Sequence, residues 1–384
     1  MGEVRIDEGR IIDDEAAETI RRAWATATEK LATQRERAER QELAILHGDT
    51  PTFMEYPRAA KPEDLAGLDA AILGIPFEGI TAVTPSVSAP PYYARPPKGS
   101  VYWRMGADEG LDNIRKYSLY YSIKHNGGAF WDIDRDMAFD DYIRVADYGD
   151  VPYTPEDIEG NIDRAEARVA DIVAAGAVPI VFGGDHTIPT PILRAVLRPR
   201  KKKVGLIVFD SHMDLSNEPR NWASTEWVQT LELGKIDPDN FAIIGIGGVR
   251  NNAFERNVAR ELGHHVYTVD MIKDWGMKAV IEDALSHVTD GTDGVYCSID
   301  IDCMEPSAVP SQKAPEIWGM TIDEMFCALR RLTQEDIIGA DINEYTEDYD
   351  INGMGAQFCA RVAVQFLAGI AQRKRAAGQR LGAE

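Results

Sequence analysis

The residues best able to do chemistry in this chain lie in four short clusters: Gly-Gly-Asp-His at 183–186, Asp-Ser-His-Met-Asp at 210–214, Asp-Ile-Asp at 300–302 and Asn-Glu at 343–344. Each follows a largely apolar run, "VPIVF", "VGLIVF", "GVYCSI" and "IIGADI" respectively. Side chains alternate between the two faces of a strand. If strand geometry persists, Asp210, His212 and Asp214 therefore point the same way, and so do Asp300 and Asp302. Carboxylates that converge in a buried crevice repel one another and are costly to desolvate without a cation. Hard and borderline divalent metal ions accept carboxylate oxygen and imidazole nitrogen in one site. A single Asp at a strand end is ordinarily a cap or turn residue, and Asp185 is open to that reading. The recurrence of Asp and His at successive strand ends points instead to bound metal.

The elements that must position these clusters are legible from periodicity. From residue 143 onward, apolar strands alternate with amphipathic helices. The strands are 143–151, 178–186, 203–212, 241–248, 265–272, 294–303 and 337–345, with an earlier one at 69–79. The helices include 154–176, opened by "TPED" and closed by Gly176, then 277–289, 321–333 and 354–377. Such alternation with near-continuous apolar strands predicts an α/β fold, a three-layer αβα domain with a central parallel sheet. Ligands of open parallel sheets lie beyond the carboxyl ends of the strands, where the four clusters fall. Residues 13–46, rich in Ala, Glu, Arg and Leu and free of Pro and Gly, read as helix. This gives an N-terminal helical arm over 1–66 and a catalytic domain over 67–384. The stretch 81–106 holds too many prolines for regular structure and carries Tyr92, Tyr93, Tyr102 and Trp103.

Composition narrows the partners. Asp and Glu number 63 against 41 Lys and Arg, a formal net charge of −22. That argues against nucleic acid and anionic membranes, both of which need basic surfaces, and is compatible with a small cationic substrate. No run of 18 apolar residues marks a membrane span, and the N-terminus lacks the apolar core of a secretory signal. Cys297, Cys303, Cys327 and Cys359 show no CxxC pairing, so free thiols in a reducing, cytoplasmic location are expected.

The motifs "GGDHT", "DSHMD" and "SIDIDCMEPSAVPS" resemble those of the ureohydrolases, the arginase and agmatinase family. The resemblance runs over about 68–375 and extends to "GIPFEG", "GADEGLDNIRKYS", "ADYGDVP", "PEIWGMT" and "DINEYTED". It implies the arginase–deacetylase fold and a pair of divalent ions. One ion takes His186, Asp210, Asp214 and Asp300; the other takes His212, Asp210, Asp300 and Asp302, with Asp210 and Asp300 bridging. Two ions sharing a water supply a nucleophile for the guanidinium carbon. Asp214 then orients that nucleophile and handles its proton, Glu344 holds the guanidinium through charge-assisted hydrogen bonds, and the products are a urea and ammonia or an amine.

The departures from the family pattern bear on substrate. Arginases and agmatinases carry a His-Gly pair after DxHxD, whereas here the region reads "NWASTEWVQTLELG", with Glu226 and Trp227 near that place. Trp318 replaces a small residue of the family's PEPGGLT loop. Trp227, Trp318 and Trp103 are thus expected as aromatic walls of a closed pocket, suited to a compact or alkylated cation. A long N-terminal arm and a Trp after DxHxD resemble the guanidine hydrolase branch, which includes metformin hydrolase subunits. That resemblance implies guanidine, an N-alkylguanidine or a biguanide as substrate, with Ni2+ favoured and Mn2+ the alternative. Agmatine or a guanidino acid is the second substrate reading. A trimeric or hexameric homo-oligomer, or a hetero-oligomer with a related subunit, is the expected assembly. A poorly active partner subunit is the reading of a different class, and intact metal ligands argue against it.

Overall fold

The apolar runs become strands because their β-branched and aromatic side chains are buried on both faces of one sheet. The computed structural model of the protein describes residues 4–7, 10–13, 18–23, 50–78, 104, 106–122, 131–154, 157–216 and 223–382. Strands β1 (Val4–Asp7) and β2 (Arg10–Asp13) form an antiparallel hairpin outside the main sheet. The main sheet is built from β3 (Ala70–Ile75), β4 (Val145–Asp150), β5 (Val178–Gly183), β6 (Gly205–Phe209), β7 (Phe241–Ile246), β8 (His265–Thr268), β9 (Val295–Asp300) and β10 (Ile337–Asn343). Its order is β4-β3-β5-β10-β9-β6-β7-β8, and every pairing is parallel. The four strands whose ends carry the polar clusters, β5, β10, β9 and β6, are therefore the four central neighbours.

Alternation along the strands splits the core into two layers. Ile207 and Phe209 of β6 pack into one apolar cluster, Leu206 and Val208 into the other. The first cluster is covered by α1 (Leu111–Ser118), α7 (Met277–Val288), α8 (Ile322–Leu332) and α9 (Met354–Ala376). The second lies under α2 (Ile158–Ala174), α3 (Pro189–Leu197), α4 (Glu226–Glu232) and α5 (Ala253–Leu262). A short α6 (Val269–Trp275) completes the set. This is the three-layer arrangement that the sequence predicts. Among the described residues, α9 is the helix long and apolar enough to cross a membrane, but 83% of its apolar window is buried inside the fold.

Several boundaries move. The strand expected over 265–272 stops at Thr268, whose side chain caps α6 by accepting from the Met271 N–H, so Val269 onward is helix. Asp157, rather than Thr154, caps α2, because its carboxylate accepts from the Gly160 N–H. Helices α4 and α5 were not read from the sequence. The helix expected over 13–46 meets strand at Asp13 and helix at residues 18–23; residues 24–49 lie outside the described residues, as do Tyr92, Tyr93, Tyr102 and Trp103. Residues on the arm side of the expected 66/67 division also enter the core. Phe53, Met54 and Tyr56 pack in one core layer and Ala59 and Leu65 in the other, so the packed body begins well before residue 67.

One glycine fixes how the β5 cluster leaves the sheet. A Cβ on Gly184 would lie 1.7 Å from the Phe77 carbonyl oxygen, which accepts the Asp185 N–H at 2.8 Å. Backbone meets backbone there, so no side-chain rearrangement relieves the clash. We predict that Gly184→Ala costs about 2–3 kcal/mol of stability, read as a lowered urea midpoint in metal-free protein; an unchanged midpoint would show that the β3–β5 ends are not packed this closely.

Candidate metal centre

The clusters converge, but not by the strand alternation expected. Strand β6 ends at Phe209. Asp210 then turns the chain by accepting the His212 N–H on Oδ1 at 2.6 Å. At the end of β9, Asp300 does the same with the Asp302 N–H, at 2.8 Å. Each first Asp thus keeps its carboxylate at the sheet end while bending the next residues inward. Asp214 and Glu344 complete the approach with left-handed backbone, φ 48° and 64°. Non-glycine residues in that region carry strain that the surrounding structure must hold in place.

Two donor groups result. His186, Asp210 and Asp214 form one; Asp210, His212 and Asp302 form the other, with Asp210 common to both. His186 Nδ1 lies 3.0 Å from Asp214 Oδ2, 3.1 Å from Asp210 Oδ2 and 3.4 Å from Asp300 Oδ2. His212 Nδ1 lies 3.1 Å from Asp302 Oδ2 and 3.6 Å from Asp210 Oδ1. All six residues expected to hold metal are therefore within one crevice. Asp185, the open case, is a turn residue: its Oδ1 accepts from the Thr187 N–H.

The donor set fits divalent ions on independent grounds. Buried His212 Nε2 makes no hydrogen bond, nor do Asp210 Oδ2 and Asp302 Oδ2, which meet only the ring nitrogens. On its far side, His186 Nε2 lies 3.2 Å from Ser298 Oγ, and that hydroxyl donates to Asp341 Oδ1 at 2.9 Å. Ser298 is left to accept from Nε2–H, which leaves the Nδ1 lone pair for the crevice. Asp341 is further held by Asn343 Nδ2 and the Tyr296 hydroxyl.

Without a cation the acids divide: Asp210 and Asp300 are pushed up, whereas, against burial, His186 holds Asp214 and His212 holds Asp302 below the usual carboxylate range. Burial, then the neighbouring Asp214 charge, pushes Asp210 up to about 7. Burial, then Asp302, takes Asp300 well above the carboxylate range. Burial alone would depress His186, but the charges of Glu226, Asp210 and Asp214 outweigh it and raise it well above the histidine range.

Glu344 sits beside this centre. Its Oε1 accepts from the His186 N–H at 2.7 Å, and the residue is buried. Lys313 was not singled out in the sequence. It is buried with Nζ against Glu78, 3.6 Å from Asp185 and 3.9 Å from Glu344. Glu78 in turn accepts from the backbone N–H groups of Gly106 and Ala107. Burial raises Glu344 to about 8 even though Lys313 pulls the other way.

The aromatic residues separate. Trp227 is fully buried, edge-on to the His186 ring with centroids 5.2 Å apart, and so braces that imidazole. Trp318 is 49% exposed. Its loop is tied down just after Asp302 by the Met320 N–H to Cys303 carbonyl bond of 2.7 Å. The Trp318 carbonyl abuts Gly247, whose N–H bonds to the Ser211 carbonyl. Trp103 lies outside the described residues.

An all-parallel three-layer domain whose central strand ends gather two imidazoles and a set of carboxylates belongs to the class of hydrolases that work through paired divalent ions. The chain belongs to the arginase family, whose model matches residues 68–369. It is 28% identical over 326 residues to the guanidinopropionase of Pseudomonas aeruginosa, covering 84% of this chain and 92% of that protein. It is 30% identical over 329 residues to the agmatinase of Photorhabdus laumondii, covering 84% and 94%. Among solved structures it superimposes on the proclavaminate amidino hydrolase of Streptomyces clavuligerus with a TM-score of 0.71 at 25% identity, covering 86% of this chain and 99% of that one. The protein is accordingly a hydrolase of amidino C–N bonds.

Two outcomes test the centre. Asp210→Asn removes the charge common to both donor groups and Asp300→Asn a charge beside His186, so in either variant metal content should fall from about two ions per chain to about one or fewer, measured by elemental analysis, with activity lost. The second concerns pH. Asp210 has a folded pKa of about 7 against an ordinary 3.8. Its protonation therefore stabilises the metal-free protein at low pH, and that stability is lost as pH rises from about 4 through about 7. Bound metal competes with those protons. The gain in Tm on metal loading should therefore grow between pH 5.5 and 8; a pH-independent gain would contradict the protonated cluster.

Proposed function

We propose that the protein hydrolyses guanidine, a small N-alkylated guanidine or a biguanide such as metformin, releasing ammonia or an amine and leaving a urea. The two ions, nickel favoured and manganese the alternative, supply a polarised water as nucleophile. The chain's own residues do the rest. Asp214, beside His186, orients that water and takes its proton. Glu344 receives the planar cation. Because it is buried, a guanidinium that reaches it is stripped of water, and the charge-assisted hydrogen bonds are correspondingly strong. Lys313 supplies Glu344 with a fixed neighbouring cation and ties it to Glu78.

The observation that carries the substrate reading is Trp318. It stands half-exposed on a loop pinned next to Asp302, with Ile317 81% exposed beside it, and we read these two side chains as an apolar wall on that side of the site. A charged tail laid against such a wall without partners costs several kcal/mol. A substrate with only hydrogens or methyl groups beyond its cation avoids that cost. One observation favours a second reading, a guanidino acid. Arg250, whose Nη1 donates to the Ala314 carbonyl, lies beside the same loop and could meet a carboxylate, and the Pseudomonas relative is named a guanidinopropionase.

The test is urea release from guanidine, a dimethylated biguanide, agmatine, 3-guanidinopropionate and L-arginine with nickel- and manganese-loaded protein. Guanidine or its alkylated forms should exceed arginine in kcat/KM by at least about a hundredfold, roughly 2.7 kcal/mol. Trp318→Gly should narrow the gap. Faster turnover of 3-guanidinopropionate, abolished in Arg250→Met, would select the second reading. In either case Glu344→Gln should keep both metals and lose about 2–4 kcal/mol of transition-state binding; unchanged kcat/KM would remove Glu344 from the site.

A further inference from the structure

One acidic side chain in the crevice has no part in the ligand set described so far. Glu226 is 0% exposed, and its two oxygens are treated differently. Oε2 accepts the Ser224 N–H at 2.9 Å, which fixes the plane of the carboxylate. Oε1 makes no hydrogen bond and is turned to the metal crevice, 3.6 Å from His186 Nδ1. Among the described residues its ion-pair partner is that imidazole. The next residue, Trp227, packs its ring edge-on against His186, so the two side chains hold the histidine from adjoining positions.

The distances around His186 Nδ1 then take on a pattern. Four carboxylate oxygens surround it: Asp214 Oδ2 at 3.0 Å, Asp210 Oδ2 at 3.1 Å, Asp300 Oδ2 at 3.4 Å and Glu226 Oε1 at 3.6 Å. Donor atoms about 2.1 Å from one ion and at right angles to each other are about 3 Å apart. Four oxygens 3.0–3.6 Å from one nitrogen match the spacing of neighbouring ligands around a six-coordinate ion. One imidazole N–H satisfies one carboxylate and a proton shared by Glu226 and Asp214 satisfies another contact, so hydrogen bonding alone does not explain why Asp210 and Asp300 close on the same nitrogen.

We propose that Glu226 is an additional protein ligand to the ion held by His186, Asp210, Asp214 and Asp300. The inference rests on the reading that the centre binds divalent ions. Five protein donors leave one position of a six-coordinate ion for water. They also disfavour ions that prefer four ligands, as zinc does, relative to octahedral nickel or manganese. The residue that departs from the family's His-Gly pair thus acts on metal selection.

The experiment compares wild type with Glu226→Gln and Glu226→Met, the second removing the donor while keeping the length of the side chain. Metal content, nickel affinity by chelator competition, the nickel d–d absorption spectrum, and the Tm of metal-free and loaded protein are measured. One of the two ions should bind at least about tenfold more weakly in both variants, with a changed spectrum. The metal-free Glu226→Gln variant, which keeps an acceptor for the Ser224 N–H, should be as stable as wild type. The gain in Tm on loading should shrink in both variants. If wild type holds two ions and both variants keep its affinities and spectrum, the proposal is overturned. A fall in metal-free Tm with unchanged affinity also overturns it, because Glu226 would then be structural. A wild type that binds no nickel or manganese would overturn the metal-centre reading itself.

Discussion

Mutual repulsion among carboxylates at the ends of the central strands is the constraint on which the structure depends. Asp210, Asp214, Glu226, Asp300, Asp302 and Glu344 are all buried beyond neighbouring strands of a sheet whose interior is hydrocarbon. No arrangement of that many acids is stable in such a place as bare anions. Everything around them is a means of tolerating the charge. The two imidazoles face inward, backbone N–H groups are spent on the first Asp of each pair, and Ser298 and Asp341 anchor the back of His186. What remains uncompensated is the chemical potential that binds metal.

A second electrostatic knot lies beside the first and differs in kind. Lys313 is a permanent cation locked among Glu78, Asp185 and Glu344. Its backbone N–H bonds the Glu344 carbonyl at 3.1 Å, and its carbonyl accepts from the Arg104 N–H at 3.1 Å. Glu78 lies just before the aromatic, proline-rich stretch, Gly106 is its last residue, and the two are hydrogen bonded. Glu344 and both ends of that stretch therefore share one ionic anchor. Glu344 bridges the two knots through its bond to the His186 N–H.

Fold class and the gathering of the Asp and His clusters were legible because both are written in local pattern. Apolar runs of strand length that alternate with amphipathic helices fix a parallel sheet, and Asp and His at the ends of such runs leave few structural alternatives. What the pattern did not reveal has identifiable causes. The turns at Asp210 and Asp300 depend on side-chain-to-backbone hydrogen bonds, which have no signature in strand periodicity. Nothing in local pattern marked Lys313, because its burial depends on Glu78, which is 235 residues distant in sequence. Trp227 read as a pocket wall from its neighbourhood in sequence, but an indole on a short helix packs inward against Phe241 as well as His186. The early boundary was placed at the first strand, although Phe53 stacks on Phe182 with ring centroids 5.3 Å apart and belongs to the core.

The order of strands in the sheet has a consequence for local opening. His186 and Glu344, 158 residues apart in sequence, meet across the centre of the sheet, with the ends of β6 and β9 alongside. An ion shared by these ends acts as a removable rivet through the middle of the domain, joining segments that the chain itself connects only through long detours. Emptied, the same spot becomes the place where the sheet is most readily prised open, although the opposite strand ends carry no such burden. An ion held there binds only the folded arrangement, so by mass action it would raise the free energy of local opening at the centre of the sheet as free metal rises.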